Sequence, residues 1–245
     1  MQDFTNFNPN QQPGSFAVVS ENSEAAFFQR VYAWMFAALG VTALVGFLMS
    51  RVEPWVYFLL TSPLLVWLAV AMLPVGMAFY LRTKVESMSP GAVKGWLMAI
   101  AAGFGATTLT VCFALYKGPA FITAFVCAAS IFGAMAVYGL VTKRSLQAWG
   151  SFLLMGVVGL LVAMGLNLFL QNGPLDYVIC IVGVIVFAGL TAYDHQKLRV
   201  MYFSATSEGA DEDTLVRYGL MGSLALYIDF LNLFVFLLRL VGHDD

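Results

Sequence analysis

The chain has 245 residues, of which 60% are hydrophobic and only 11% charged, with a net charge of −2. Ordinary soluble domains carry about 25% charged residues, so these values exclude a soluble globular domain, and no basic surplus points to nucleic acid. Apolar runs of about 18 or more residues recur between polar breaks, as in a bundle of membrane-spanning helices, and the alternating pattern of an outer-membrane barrel is absent.

Residues 1–25 are polar, rich in Asn and Gln, and punctuated by Pro and Gly. They bury too little apolar surface to fold alone and read as a disordered tail, leaving 26–245 as a seven-helix transmembrane domain. The tail has neither a basic n-region nor a small-residue cleavage site, so the first helix is expected to act as the insertion signal. Span one covers about Val31–Ser50 and ends at the turn Arg51–Pro54. Span two covers about Trp55–Leu81 and contains Pro63 and Pro74, where a kink is expected. Span three, about Ala92–Tyr116, carries Ala99 and Gly103, and Ala102 and Ala106, at a four-residue spacing that permits close helix packing. Span four is about Ala120–Val141, span five about Trp149–Leu170, and span six about Asp176–Tyr193. An acidic connector, Ser204–Arg217, leads to span seven, about Tyr218–Val241. A six-span arrangement, with span two or seven re-entrant, is the alternative. Seven spans place nine basic residues on the N-terminal side and three (Arg51, Lys117 and Arg239) on the other. The positive-inside rule then puts the N-terminus in the cytoplasm and the C-terminus outside.

Cys112, Cys127 and Cys180 all lie inside apolar runs and read as small packing residues. No Cys/His spacing suggests a metal site. Asp176 opens span six, where a carboxylate suits a helix start. Asp194 and Asp229 are different, because each follows a strongly apolar run. An ionisable group in hydrocarbon is costly and commonly marks an ion or proton path. Helical spacing puts Tyr218, Gly222, Ala225, Asp229, Asn232 and Phe236 on one face of span seven, with the Asn232 amide placed to donate to Asp229. Lys197, three residues after Asp194, offers a local ion pair as the simpler reading of that aspartate. At helical rise Asp229 lies about 18 Å from Arg217 and Asp194 about 7.5 Å from Arg199. The two therefore meet only if span seven begins in the cytoplasm or span six runs past Arg199. In contact they cannot both stay ionised cheaply, and they would share a proton. Such a pair is a pH-sensitive latch. Arg82 is the candidate modulating cation, since Arg144 and Arg199 sit in loop-like contexts. Calcium, which prefers carboxylate oxygens, could replace the proton transiently between Asp194 and Asp229.

Residues 136–146 (AVYGLVTKRSL), 189–198 (GLTAYDHQKL) and 226–234 (LYIDFLNLF) together resemble the transmembrane Bax inhibitor motif family, in its bacterial inner-membrane branch. The resemblance covers about Phe27 to the C-terminus. It implies an all-α seven-helix membrane protein with the last helix central and the other six around it. It also implies a pH-dependent calcium leak of the inner membrane, gated by an aspartate in each of the last two helices. Asp194 and Asp229 occupy those positions, and Arg82, ending residues 78–82 (AFYLR), resembles an arginine that pairs with the dyad in some members. Calcium is then a permeant ion, and no cofactor is implied. The alternative reading is an interaction protein that modulates a membrane-bound AAA protease. Many members have Thr where this chain has His195. That histidine either adds a titrating group beside the dyad or faces the headgroups. The connector before span seven is longer and more acidic than in the smallest members, and could shield the mouth or attract cations. An enzyme is not expected: the intramembrane aspartyl protease motifs, His-Glu-x-x-His and Gly-x-Ser-x-Gly are all missing.

Overall fold

The structure is a computed structural model that describes the backbone of residues 13–242 and the side chains of residues 23–242. Its described residues are helical, with short turns and no strand. Seven helical segments are long and apolar enough to cross a membrane.

Helix α1 runs Pro13–Met49, and its spanning part begins at Ser23. The helix therefore starts before residue 26; the part of the expected tail at residues 1–12 lies outside the described residues. Just before residue 26, two contacts tie the helix to a later one. Glu24 accepts a 2.8 Å bond from Arg199, and Ser23 accepts one from the Tyr202 hydroxyl at 2.8 Å.

The expected second span is broken. Helix α2 (Glu53–Thr61) stops at Ser62, α3 begins at Leu64, and Ser62 and Pro63 are both extended. Proline disfavours helical backbone in the residue before it, and Pro63 then lacks the amide needed to continue the helix. Only α3 (Leu64–Lys84) has the length of a span, while Pro74 sits inside it without ending it.

The third span is α4 (Pro90–Phe104), a π-helical turn (Gly105–Leu109) and α5 (Thr110–Leu115). The turn frees carbonyls, which take side-chain donors instead. Thr110 Oγ1 bonds the Gly105 carbonyl at 2.9 Å, and Trp55 Nε1 reaches the Ala106 carbonyl at 2.7 Å, tying α2 to this turn. The tightest helix approach here is not along the Ala99/Gly103 row. It is at Gly105, where an added Cβ would lie 2.6 Å from the Thr42 carbonyl; Gly103 packs on Pro74.

Helices α6 (Gly118–Val141), α7 (Gln147–Leu170), α8 (Gly173–Ser207) and α9 (Glu212–Val241) complete the bundle. Helix α9 is the core. In its most apolar window 61% of residues are buried, against 11% for α3 and α7. It packs on α1, α4, α6 and α8, while α3 packs on α4 and α7 on α8 as an outer layer. Large apolar side chains such as Leu65, Phe79, Met155 and Phe169 are exposed on those outer helices, as expected where lipid replaces water. Between helices in lipid, close packing and polar contacts supply the association. Small residues give that closeness: Gly139 lies against the Ala192 carbonyl and Gly183 against the Phe236 ring.

Candidate functional site

Helix α8 is much longer than its apolar run. It continues through Lys197, Arg199 and Tyr202 to Ser207, and the turn to α9 is only Glu208–Asp211. The expected acidic connector is thus mostly helix, capped where Asp211 accepts from the Thr214 amide at 3.3 Å. This geometry removes the depth mismatch. Asp194 lies about 20 Å before the end of α8, and Asp229 about 26 Å after the start of α9. In an antiparallel pair those positions are level within about one helical turn.

The Asp194 and Asp229 carboxyl groups are within hydrogen-bonding reach of each other. Ionised carboxylates are acceptors only, so a bond between two of them requires one hydrogen. Asp229 is buried and Asp194 half-buried. The second oxygen of Asp229, Oδ2, has no hydrogen-bond partner among the described residues. No cation lies within ion-pairing distance of either group among the described residues. Lys197 and Arg82 act on Asp194 only from farther away, Lys197 more strongly. Lys197 instead stands 5.7 Å from the Tyr193 ring centre, so the local ion pair is not formed. Arg82 is exposed at the last turn of α3.

Asn232 is turned away from this chemistry. Its amide donates to the Ile228 carbonyl of its own helix at 2.8 Å, not to Asp229. His195 does not face the headgroups. It is fully buried, with ring-centre distances of 5.8 Å to Tyr32 and 5.5 Å to Phe132. Its Nδ1 lies 2.6 Å from the Thr191 carbonyl, which can only accept, so Nδ1 carries the hydrogen. Nε2 is left without a partner among the described residues. Arg199 is helical rather than loop-like; it pairs with Glu24 and donates to the Leu140 carbonyl at 2.7 Å.

The surroundings hold the pair in register. Gln196 clamps the α6–α7 turn, accepting from the Leu146 amide at 2.7 Å and donating to the Arg144 carbonyl at 2.9 Å. On α9, Tyr227 meets Thr42 at 2.8 Å, and Thr42 also bonds the Ala101 carbonyl at 2.9 Å, joining α1, α4 and α9. Beside the dyad, the Phe230 ring packs against both Phe125 and Phe132. At the far end of the bundle, where α8 begins and α9 ends, Asp176 bonds Arg239 and Asn167. Sequence reasoning missed this tie between α8 and α9. The one available signal was an arginine in the last turn of an apolar helix, at the same end of the bundle as Asp176. No group of three or more His, Cys, Asp or Glu occurs among the described residues. The dyad offers oxygens to a passing hard cation rather than a full ligand set.

Comparison with known proteins accords with these motifs. The profile of the family "Inhibitor of apoptosis-promoting Bax1" (Bax1-I) matches residues 24–245. "Inner membrane protein YbhL" of Escherichia coli is 35% identical over 218 residues, which cover 89% of this chain and 91% of that protein. A Deinococcus radiodurans protein is 39% identical over 219 residues, again 89% and 91% of the two chains. A Lactococcus lactis protein, YrjE, is 35% identical over 228 residues, 89% and 90%. With its seven apolar helices and central α9, the chain belongs to the Bax1-I family of membrane proteins.

Proposed function

We propose that this protein is a pH-sensitive calcium leak pathway whose gate is the Asp194–Asp229 pair. The observation that carries the proposal is two carboxyl groups on adjacent helices within hydrogen-bonding reach inside an apolar bundle. A shared proton joins α8 to α9. When it leaves, two unit charges about 4 Å apart repel by about 4 kcal/mol at an effective dielectric of 20. That is enough to favour parting the helices, which opens carboxylate oxygens to a divalent cation. Lys197 and Arg82 soften the repulsion from a distance. With its buried, half-paired imidazole, His195 is a second proton acceptor on the same helix turn. Calcium is cargo in this scheme and no resident cofactor is invoked. The name of the Escherichia coli relative favours the inner membrane, and the nine-to-three distribution of basic residues favours a cytoplasmic N-terminus and a periplasmic C-terminus. Nothing in the site suggests bond-breaking chemistry, so the protein is proposed as a non-enzyme.

Calcium flux into proteoliposomes between pH 6 and 8 tests this reading. Wild type should conduct more as pH rises, and Asp194→Asn or Asp229→Asn should flatten the response. Arg82→Ala should shift its midpoint without abolishing it. Pulldown of a membrane-bound AAA protease, with flux unaffected by pH, would support the interaction role instead.

A further inference from the structure

We propose that the protein binds one anionic phospholipid in a cleft between α1, α4, α8 and α9, with the headgroup phosphate held between Arg30 and Lys94. The cleft lies at the end of the bundle that carries the α8–α9 turn and encloses about 600 Å³, within the usual size of small-ligand sites. Its floor is apolar, with Phe27 and Leu220 only 8% and 2% exposed. Its rim is charged: Arg30 from α1, Lys94 from the second turn of α4, and Glu212 from the first turn of α9.

The charges on this rim are poorly matched as they stand. Arg30 meets Glu212 at 3.5 Å, but those side chains are 64% and 80% exposed, and such pairs hold weakly. Lys94 has no carboxylate within 4 Å among the described residues; its Nζ stands 5.3 Å from the Trp34 ring centre. The rim thus carries one excess positive charge, which a phosphodiester of charge −1 complements. A guanidinium can grip a phosphate with two parallel bonds, and an ammonium adds a point charge. The apolar floor distinguishes a lipid from a soluble anion, because it gives an acyl chain a surface beside the phosphate. Basic groups near a membrane surface favour anionic lipid in the same way. Gly219, on the cleft wall, lies about 15 Å along α9 from Asp229. A lipid seated there would bridge α1 and α4 to the central helix. The proposal does not depend on the dyad's role.

Native mass spectrometry of the full chain in detergent micelles, titrated with phosphatidylglycerol and phosphatidylcholine of matched acyl chains, tests the site. One phosphatidylglycerol should bind about tenfold more tightly than phosphatidylcholine. The double variant Arg30→Gln/Lys94→Gln should erase that preference, while Arg51→Gln, at the other end of α1, should leave it intact. Glu212→Gln, which removes the competing carboxylate, should tighten phosphatidylglycerol binding several-fold. This arm keeps the test decisive even if the double variant misfolds, since no gain from Glu212→Gln counts against the site. Equal affinity for the two lipids, or equal loss in Arg51→Gln, would overturn the proposal. So would ready displacement of phosphatidylglycerol by glycerol phosphate, which would make the cleft a soluble-anion site.

Discussion

Gly139 is the position where a single methyl group should do most damage to the proposed gate. It lies where α6 crosses α8, and a Cβ built on it would sit 2.3 Å from the Ala192 carbonyl oxygen and 3.0 Å from its carbon. Comfortable carbon–oxygen contacts begin near 3.3 Å, so Gly139→Ala requires the helices to separate by about 1 Å. The obstacle is backbone, and no side-chain rotamer relieves it. Overpacking of this kind costs about 1–3 kcal/mol, or about 2–12 °C in Tm for a chain of this size. Gly133→Ala is the matched control. It is on the same helix, and nothing lies within 4 Å of its added Cβ, so better helix propensity should leave it neutral or up to about 1 kcal/mol more stable. Thermal unfolding in micelles can be followed with a thiol-reactive dye that reports exposure of buried Cys112 and Cys180. Gly139→Ala should melt clearly below Gly133→Ala, and, because Asp194 is two residues from the clash, its calcium flux should rise at low pH. Equal melting of the two variants would refute the close α6–α8 crossing.

Arg239→Ala should destabilise the protein by about 1–3 kcal/mol, less than for a fully buried pair, because it strands the Asp176 carboxylate; Arg239→Met with Asp176→Leu should recover most of that loss in the same melt. Tyr227→Phe should cost about 1 kcal/mol, the worth of one buried hydrogen bond, and thermal unfolding against wild type would show it. Asp211, outside the membrane spans, is held below the usual carboxylate range by its bond to the Thr214 side chain and by the Thr214 amide. Its stabilising effect is therefore complete above the unfolded-state value and lost as pH falls through the folded-state value. Asp211→Ala should melt below wild type at neutral pH and converge with it in acid.

The seven spans were legible because hydropathy reports lipid-facing helices directly, and α4 through α7 fall close to their expected bounds. Asp194 and Asp229 were legible because charge is scarce in such runs. The extent of α8 was not. Lys197, Arg199 and the polar end at Ser204–Ser207 interrupt its apolar run, and the helix persists through buried Leu198, Tyr202 and Ala205 and the ties of Arg199 to Glu24 and Tyr202 to Ser23. The break at Pro63 was visible as a proline but not as the end of a span, since spanning helices also tolerate proline, as Pro74 does in α3. Asn232 misled because a face shared with Asp229 does not fix where an amide points, and here the i−4 carbonyl of Ile228 takes it. Arg239 read as a flanking cation because its partner, Asp176, is sixty-three residues away in sequence.

The central claim is that one proton joins Asp194 to Asp229. Infrared difference spectroscopy of the protein in nanodiscs, titrated from pH 6 to 8, measures that proton directly through the carbonyl stretch of a protonated carboxyl group. The account predicts one such band that fades as pH rises, over the same interval in which calcium flux increases, and that is lost or shifted in both Asp194→Asn and Asp229→Asn. A band that does not change across this interval, or its absence at pH 6, would contradict the account.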